Sequence, residues 1–165
     1  MQIIKNHNKK LIQKGSIAEN NVECNCTVPE DCTLGNKCTA TEIVYRATVN
    51  SQNHNIQTTK IYYGMTKNPF KHRISDHQTS FDYIRYKDKT SLSKYIWKLK
   101  GQNCNFNVSW DLVTRSRAWR RGSNKCGLCL AEKTVILYEK NPSKMLNSRS
   151  ELMAKCRHSN AHFYS

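Results

Sequence analysis

Eight cysteines in 165 residues constrain this chain most, because seven of them fall into two candidate groups. Cys24, Cys26, Cys32 and Cys38 sit in a polar stretch with Pro29 and Gly35. Such a stretch has almost no apolar material to bury, so it needs covalent or metal staples to become ordered. Further on, Cys126-x-x-Cys129 has the spacing with which two thiolates grip one tetrahedral ion. Cys156 and His158 can complete a Cys₃His site there, with His162 as the substitute if His158 points away. The front four could form a second site, or Cys32 and Cys38 could join a mixed one. Cys104 is read as a lone thiol. Unmetallated free cysteines are the alternative for both groups.

Whether staples are disulfides or metal depends on redox compartment. The N-terminus, Met1 to Gln13, carries lysines but no apolar core and no small-residue cleavage site, so it is not read as a secretory signal. Reduced thiols holding zinc are therefore expected, in preference to a disulfide-stapled secreted protein. The tripeptides Asn25-Cys26-Thr27 and Asn107-Val108-Ser109 match a glycosylation pattern that has no meaning without secretion.

Lys and Arg number 27 against 12 Asp and Glu, a net charge of +15. A field of this sign recruits polyanions, and nucleic acid comes first because each neutralised phosphate releases a counterion. The charges run along the chain, which points to a folded domain with a basic face and not to a neutral core with a basic arm. No apolar run approaches bilayer length. Lys67, Lys71, Arg115, Arg117, Arg120, Arg121 and Lys125 suit the phosphate backbone, with Trp119 as a candidate stacking or wedge residue. A charged rim is the bland reading for each.

Residues 1–23 read as a flexible lead-in. Glu42 to Val49 is rich in β-branched residues and predicts a strand; Ser51 to Thr58 reads as a polar connection, and Lys60 to Met65 as a second strand pairing antiparallel with the first. From Pro69, Phe70 to His77 suits a short helix with Phe70, Ile74 and His77 on one face. Ser91 to Lys100 predicts a helix with Leu92, Tyr95, Ile96 and Leu99 on its apolar stripe and Gly101 as its stop. Phe106 to Val113 alternates and predicts a third strand. Leu128 to Glu139 is the strongest helix, with Leu128, Ala131, Val135 and Leu137 or Tyr138 at helical spacing. Ser150 to Cys156 reads as a final short helix or turn. The expected fold is α+β, a small antiparallel three-stranded sheet flanked by helices.

Among the reactive side chains one ordered set stands out: Tyr45 on the first strand, Tyr62 and Gly64 on the second, Arg73 and His77 on the helix, Glu132 in an apolar helix, and Asn147. A carboxylate amid Leu128, Leu130, Ala131, Val135 and Ile136 is costly unless it faces a cleft or a cation. Glu132 could instead pair with Lys133 or Lys98. Strand tyrosines usually pack, Gly64 could mark a bulge or a close backbone approach, and Arg73 with His77 could be solvated charges.

The set resembles the GIY-YIG nuclease family, with Ile43-Val44-Tyr45 for the first tripeptide, Tyr62-Tyr63-Gly64 for the second, and the Phe-x-x-Arg-x-x-x-His run from Phe70 to His77. It is most similar to the endonuclease of Penelope-like retroelements through Cys32 to Cys38, Thr90 to Lys100, Cys126 to Lys133, Asn147 to Glu151 and Cys156-Arg157-His158. The resemblance covers roughly residues 24–160. It implies Mg²⁺- or Mn²⁺-dependent cleavage of one DNA strand, leaving a 3′ hydroxyl for a reverse transcriptase carried by the same retroelement protein, in the nucleus. Glu132 would hold the metal, Tyr45 would be the base candidate, Tyr62 and His77 would position water and phosphate, and Asn147 would bind or orient near the metal. Arg73 offers a fork of donors that fits phosphate at two points. An unassisted tyrosine titrates near 10, so Tyr45 needs nearby positive charge to act as a base, or else it orients the water. Where many family members carry a His, this chain has Thr90-Ser91. Domains follow as 24–41, a cysteine-rich zinc-binding segment, and 42–165, the nuclease-like domain with its Cys/His tail. The rival reading is a catalytically silent, zinc-stabilised nucleic-acid-binding module.

Overall fold

The computed structural model describes residues 23–53, 56–123 and 126–156. The lead-in up to residue 22, Lys125, His158 and His162 lie outside the described residues. The run Ile43-Val44-Tyr45 organises what remains. All three side chains are fully buried, although neighbours on a strand point to opposite faces. Both faces of the sheet are therefore covered at this point.

Strand β1 (Ile43–Asn53) is the centre of a three-stranded sheet, flanked by β2 (Ile56–Thr66) and β3 (Asn105–Arg115) in the order β2-β1-β3. Both pairings are antiparallel, and β1 meets β2 from Ile43↔Thr66 to Asn53↔Ile56. The expected connection over Ser51–Thr58 is mostly strand, so the hairpin is longer than its apolar residues indicate. Asn50, Gln52 and Gln57 are exposed on its far end, and their polarity hides the alternation that marks a strand. Alternation along β1 sends Ile43 and Tyr45 to one buried group and Val44 to the other, and the register shift between β1 and β3 falls at Val44/Tyr45.

On one face lie α1 (Phe70–Asp82) and α2 (Ser91–Gly101). Phe70, Ile74, His77 and Phe81 from α1, and Leu92, Ile96 and Leu99 from α2, close over Tyr45, Ala47, Val49 and Tyr62. Thr90 caps α2 reciprocally with Ser93. Leu34, Cys38 and Ala40 of the front segment join this core. The carbonyls of Ala40 and Cys38 accept from the N–H groups of Phe70 and Lys71, both at 2.9 Å, so the cysteine-rich segment supplies partners for orphan donors at the start of α1.

On the other face, α3 (Gly127–Leu137) brings Leu128, Cys129 and Cys126 over Val44, together with Cys156 beyond α4 (Arg149–Met153). Leu137 and Tyr138, expected on the buried stripe of α3, are exposed; Leu128, Cys129, Lys133 and Ile136 face inward. The helix is apolar nearly all round, so period alone could not choose its inner face. Lys133 is buried and directs its ammonium to the carbonyls of Leu152 and Ala154, fastening the end of α4 to α3.

Gly64 stands opposite Tyr45 in the register. A Cβ at Gly64 would lie 2.6 Å from Tyr45 Cζ and 3.1 Å from its Cε2. The tyrosine ring thus lies across the glycine, which settles on a close approach and gives Gly64 a packing reason. Gly64→Ala is expected to push the ring aside and cost about 1–3 kcal/mol, read as a lower urea midpoint. An unchanged midpoint would refute this packing account.

Candidate active site

Beside the outer edge of β2 lies a cleft of about 260 Å³. Five of the seven residues in the ordered set line it: Tyr62, Gly64, Arg73, Glu132 and Asn147. They come from β2, α1, α3 and the segment before α4. The other two are joined to it by hydrogen bonds. Arg73 Nε donates to Tyr45 Oη at 2.9 Å, and Tyr45 Oη lies 2.7 Å from His77 Nε2. With Arg73 donating to the hydroxyl oxygen, the buried phenol proton has an acceptor in His77 when Nε2 is the unprotonated nitrogen, the tautomer assigned to the ring on that ground. A larger concavity of about 590 Å³ at the far end of the sheet is lined, among the described residues, by amides, hydroxyls and Phe106. Those residues offer no acid, base or phosphate-binding cation, and the smaller cleft is the chemical candidate.

The chain Arg73–Tyr45–His77 is buried, and its titration follows from that. Burial pushes Tyr45 up to about 12, against the lowering effect of the Arg73 guanidinium. Burial likewise raises Tyr62 well above the ordinary value. Burial, then the charges of Arg73 and Lys89, hold His77 down at about 3. Burial opposes the charge on Arg73, yet the two tyrosines and Asp76 outweigh it and keep its pKa above the usual value. At neutral pH the group is therefore a cationic guanidinium anchored on a neutral phenol and a neutral imidazole. Anchoring at Nε leaves the two Nη groups for other partners; Nη1 is 4.0 Å from Asp76 Oδ2.

His77 makes a pH prediction with a defined sign. Its folded pKa of about 3 lies below the ordinary 6.5, so between these values the unfolded chain binds the extra proton. Its stabilising contribution is complete above pH 6.5 and falls away as pH drops toward 3, by up to about 1.4 kcal/mol per pH unit. Urea unfolding of wild type and His77→Gln, which keeps an acceptor for Tyr45, should diverge in slope below pH 6.5. Parallel pH profiles would contradict the assignment.

Asn147 is held by both ends of its amide, Oδ1 accepting from Tyr63 N–H and Nδ2 donating to Tyr63 C=O, each at 2.8 Å. Leu146 N–H donates to Ile61 C=O at 2.7 Å, and Met145 forms a parallel bridge with Ile61. The Met145–Asn147 segment thus covers the open edge of β2 and sets Asn147 at the cleft.

Sequence reasoning missed Lys89, Lys133, Glu151 and Lys155 as cleft residues, and it gave no role to Thr90, which also lines the cleft. Glu151 was the legible one, since Ser148-x-x-Glu151 has capping-box spacing. Its side chain accepts from Ser148 N–H at 2.8 Å and from Ser91 Oγ at 3.1 Å, tying α4 to the start of α2.

The described cysteines form no disulfide. The Sγ atoms of Cys24, Cys26, Cys32 and Cys38 all lie within 4.8 Å of one another, as do those of Cys126, Cys129 and Cys156, so each group could hold a metal ion. Tetrahedral zinc with bonds near 2.3 Å separates its sulfurs by about 3.8 Å. Cys38 to Cys24 is 3.5 Å and Cys26 to Cys38 is 3.9 Å; Cys129 to Cys156 is 3.3 Å. The tight Cys24-x-Cys26 spacing does not keep these two apart from Cys32 and Cys38. Burial opposes ionisation of Cys32, but N–H groups of Leu34 and Asn36 and the Cys24 thiol outweigh it and bring it to about 7. Cys129 is pushed up by burial and by the Cys156 and Cys126 thiols beside it, so a cation is needed for its thiolate. Cys104 is buried apart from both groups.

The basic residues are divided. Lys67, Arg117, Arg120 and Arg121 are exposed. Lys71 Nζ donates to Asn25 Oδ1 at 2.9 Å, and Arg115 forms a two-point pair with Glu23, Nη1 to Oε1 at 2.8 Å. Trp119 packs against the rear cysteine core and donates its indole N–H to Ser123 C=O at 3.0 Å. Among the described residues no helix is long and apolar enough to cross a membrane. Comparison with family models, with curated proteins and with solved structures returns no match, so the site is read from its own chemistry.

Proposed function

We propose that this chain is a GIY-YIG-type endonuclease that hydrolyses a phosphodiester in one DNA strand, with Mg²⁺ at Glu132 and structural zinc in its two thiol groups. The observation that carries the reading is the meeting of Tyr62, Arg73, Glu132 and Asn147 on one cleft, with Tyr45 and His77 wired to it through Arg73. A net charge of +15 supplies the attraction to a polyanion.

The donors around the cleft fit Mg²⁺. Glu132 and Glu151 are carboxylates, the Asn147 amide oxygen keeps a lone pair beyond its bond to Tyr63, and there is volume for water. The ion would be held by Glu132, with Glu151 or Asn147 reaching it directly or through water, and would supply positive charge for the phosphate and the departing 3′ oxygen. The chain's own residues do the rest. Arg73 grips the phosphate through its Nη groups while Tyr45 fixes its Nε. His77 receives the Tyr45 hydroxyl and keeps it aimed at Arg73. Tyr62 presents a neutral hydroxyl that orients the attacking water. In this scheme Tyr45 is a positioning residue, because its hydroxyl meets Arg73 and His77 and its pKa stands near 12. A phenolate there needs more positive charge than Arg73 provides.

The product chemistry extends the reading to retroelement endonucleases, whose 3′ hydroxyl primes reverse transcription in the nucleus. The second reading, a silent zinc-stabilised nucleic-acid-binding module, is favoured by the high pKa values of both tyrosines. Supercoiled plasmid with Mg²⁺ separates the two. The nuclease yields open circles with ends that a polymerase extends; binding without nicking leaves only the module.

A further inference from the structure

Tyr83 and Ile84, adjacent large apolar residues just past α1, are left 56% and 66% exposed. They are not on a loose loop. Tyr83 N–H donates to Thr79 C=O at 3.1 Å, Tyr86 N–H to Tyr83 C=O at 2.9 Å, and Lys87 N–H to Ile84 C=O at 3.0 Å. Lys89 N–H closes the turn on Tyr86 C=O at 3.1 Å. The Arg85 guanidinium lies 5.5 Å from the Tyr83 ring centre and 4.6 Å from that of Tyr86, and the Lys89 ammonium is 5.4 Å from the Tyr86 ring. Cation–π contacts thus hold the aromatic side chains at the surface. Two carboxylates share the segment: Asp82, 3.9 Å from Lys100, and Asp88. The turn that carries the patch ends at the cleft, because Lys89 and the following Thr90 are part of the wall that includes Arg73 and Glu132.

An exposed apolar pair on a rigid turn, interleaved with cations and joined to a phosphate-sized cleft, is the chemistry with which proteins stack on unpaired bases. Rigidity matters because little side-chain and backbone freedom remains to be lost on contact. We propose that the Tyr83–Lys89 turn is a base-stacking platform for DNA that is locally unpaired beside the scissile phosphate. Tyr83 and Ile84 cover a base that has left its stack, while Arg85 and Lys89 take flanking phosphates. The inference rests on the nuclease reading and adds to it a preferred substrate class, a bubble or flap in place of continuous duplex.

The test uses the full chain carrying Glu132→Ala, so that binding is read without cleavage. Anisotropy of labelled DNA is compared for a perfect duplex and for the same duplex with a short mismatched bubble. The bubble is expected to bind about tenfold more tightly. The preference should disappear in the Tyr83→Ala/Ile84→Ala variant with an unchanged melting temperature, and survive in Tyr83→Phe, which keeps the ring. Equal affinity for the two DNAs, or a preference that persists in the double alanine variant, overturns the platform alone. Failure to bind either DNA overturns the nuclease reading and the platform with it.

Discussion

Loss of the zinc proposed for the four-cysteine group is expected to lower the melting temperature by roughly 10 °C or more. The size follows from what the group holds. The segment from Cys24 to Ala40 buries few apolar side chains of its own, yet its Ala40 and Cys38 carbonyls receive the first N–H groups of α1. Without the metal its thiols are left with weak contacts to one another, to Asn25 Oδ1 and to the N–H groups of Leu34 and Asn36, and the start of α1 loses two backbone acceptors. Cys38→Ser is the sharpest probe, because Cys38 is buried and its sulfur lies 3.5 Å from Cys24 and 3.9 Å from Cys26. Metal analysis should find one zinc ion for each of the two groups in wild type, and only the rear one in the variant. A wild type free of metal, with thiols that react at once with a chromogenic disulfide and no change in melting on chelation, would remove the zinc from this account.

The second large effect belongs to Arg73. Arg73→Lys keeps the charge but has no Nε to rest on Tyr45 and no fork for a phosphate. Nicking should fall on the order of a hundredfold or more, chiefly in kcat, while DNA affinity changes little because the other 26 Lys and Arg residues keep the attraction. Tyr45→Phe should move the same quantity less. It keeps the ring against Gly64 and Phe70 but frees Arg73 Nε and leaves His77 unpaired. That the two variants share a kcat effect, one through contact and the other through orientation, distinguishes a positioning role from packing. A Tyr45→Phe enzyme that is less stable but fully active would assign Tyr45 to packing alone.

Much of this arrangement could be read from residues in a row, and the limits have physical causes. Periodicity finds α1, α2 and β3 because each is amphipathic, with one face on the core and the other in water. It fails for α3, which is apolar on both sides, and for the far end of the hairpin, which is polar where the sheet face is open. The burial of His77 was legible from its spacing with Phe70 and Ile74; its protonation was not, since that depends on Tyr45 from another element. Convergence of the front thiols depends on a chain reversal in which Gly35 and Asn36 adopt φ of 57° and 61°. Spacing between Cys24 and Cys26 carries no trace of it. Lys89 and Glu151 reach the cleft only through tertiary packing, although Glu151 announces its capping role in sequence.

The central claim is that Glu132 serves the cleavage step and not the fold. Its direct measurement is single-turnover nicking of plasmid with Mg²⁺ by wild type and Glu132→Ala, at protein concentrations that saturate the DNA. The account predicts cleavage by wild type and a loss on the order of a thousandfold in the variant, with binding and melting temperature retained. Nicking at the wild-type rate without Glu132 would contradict it.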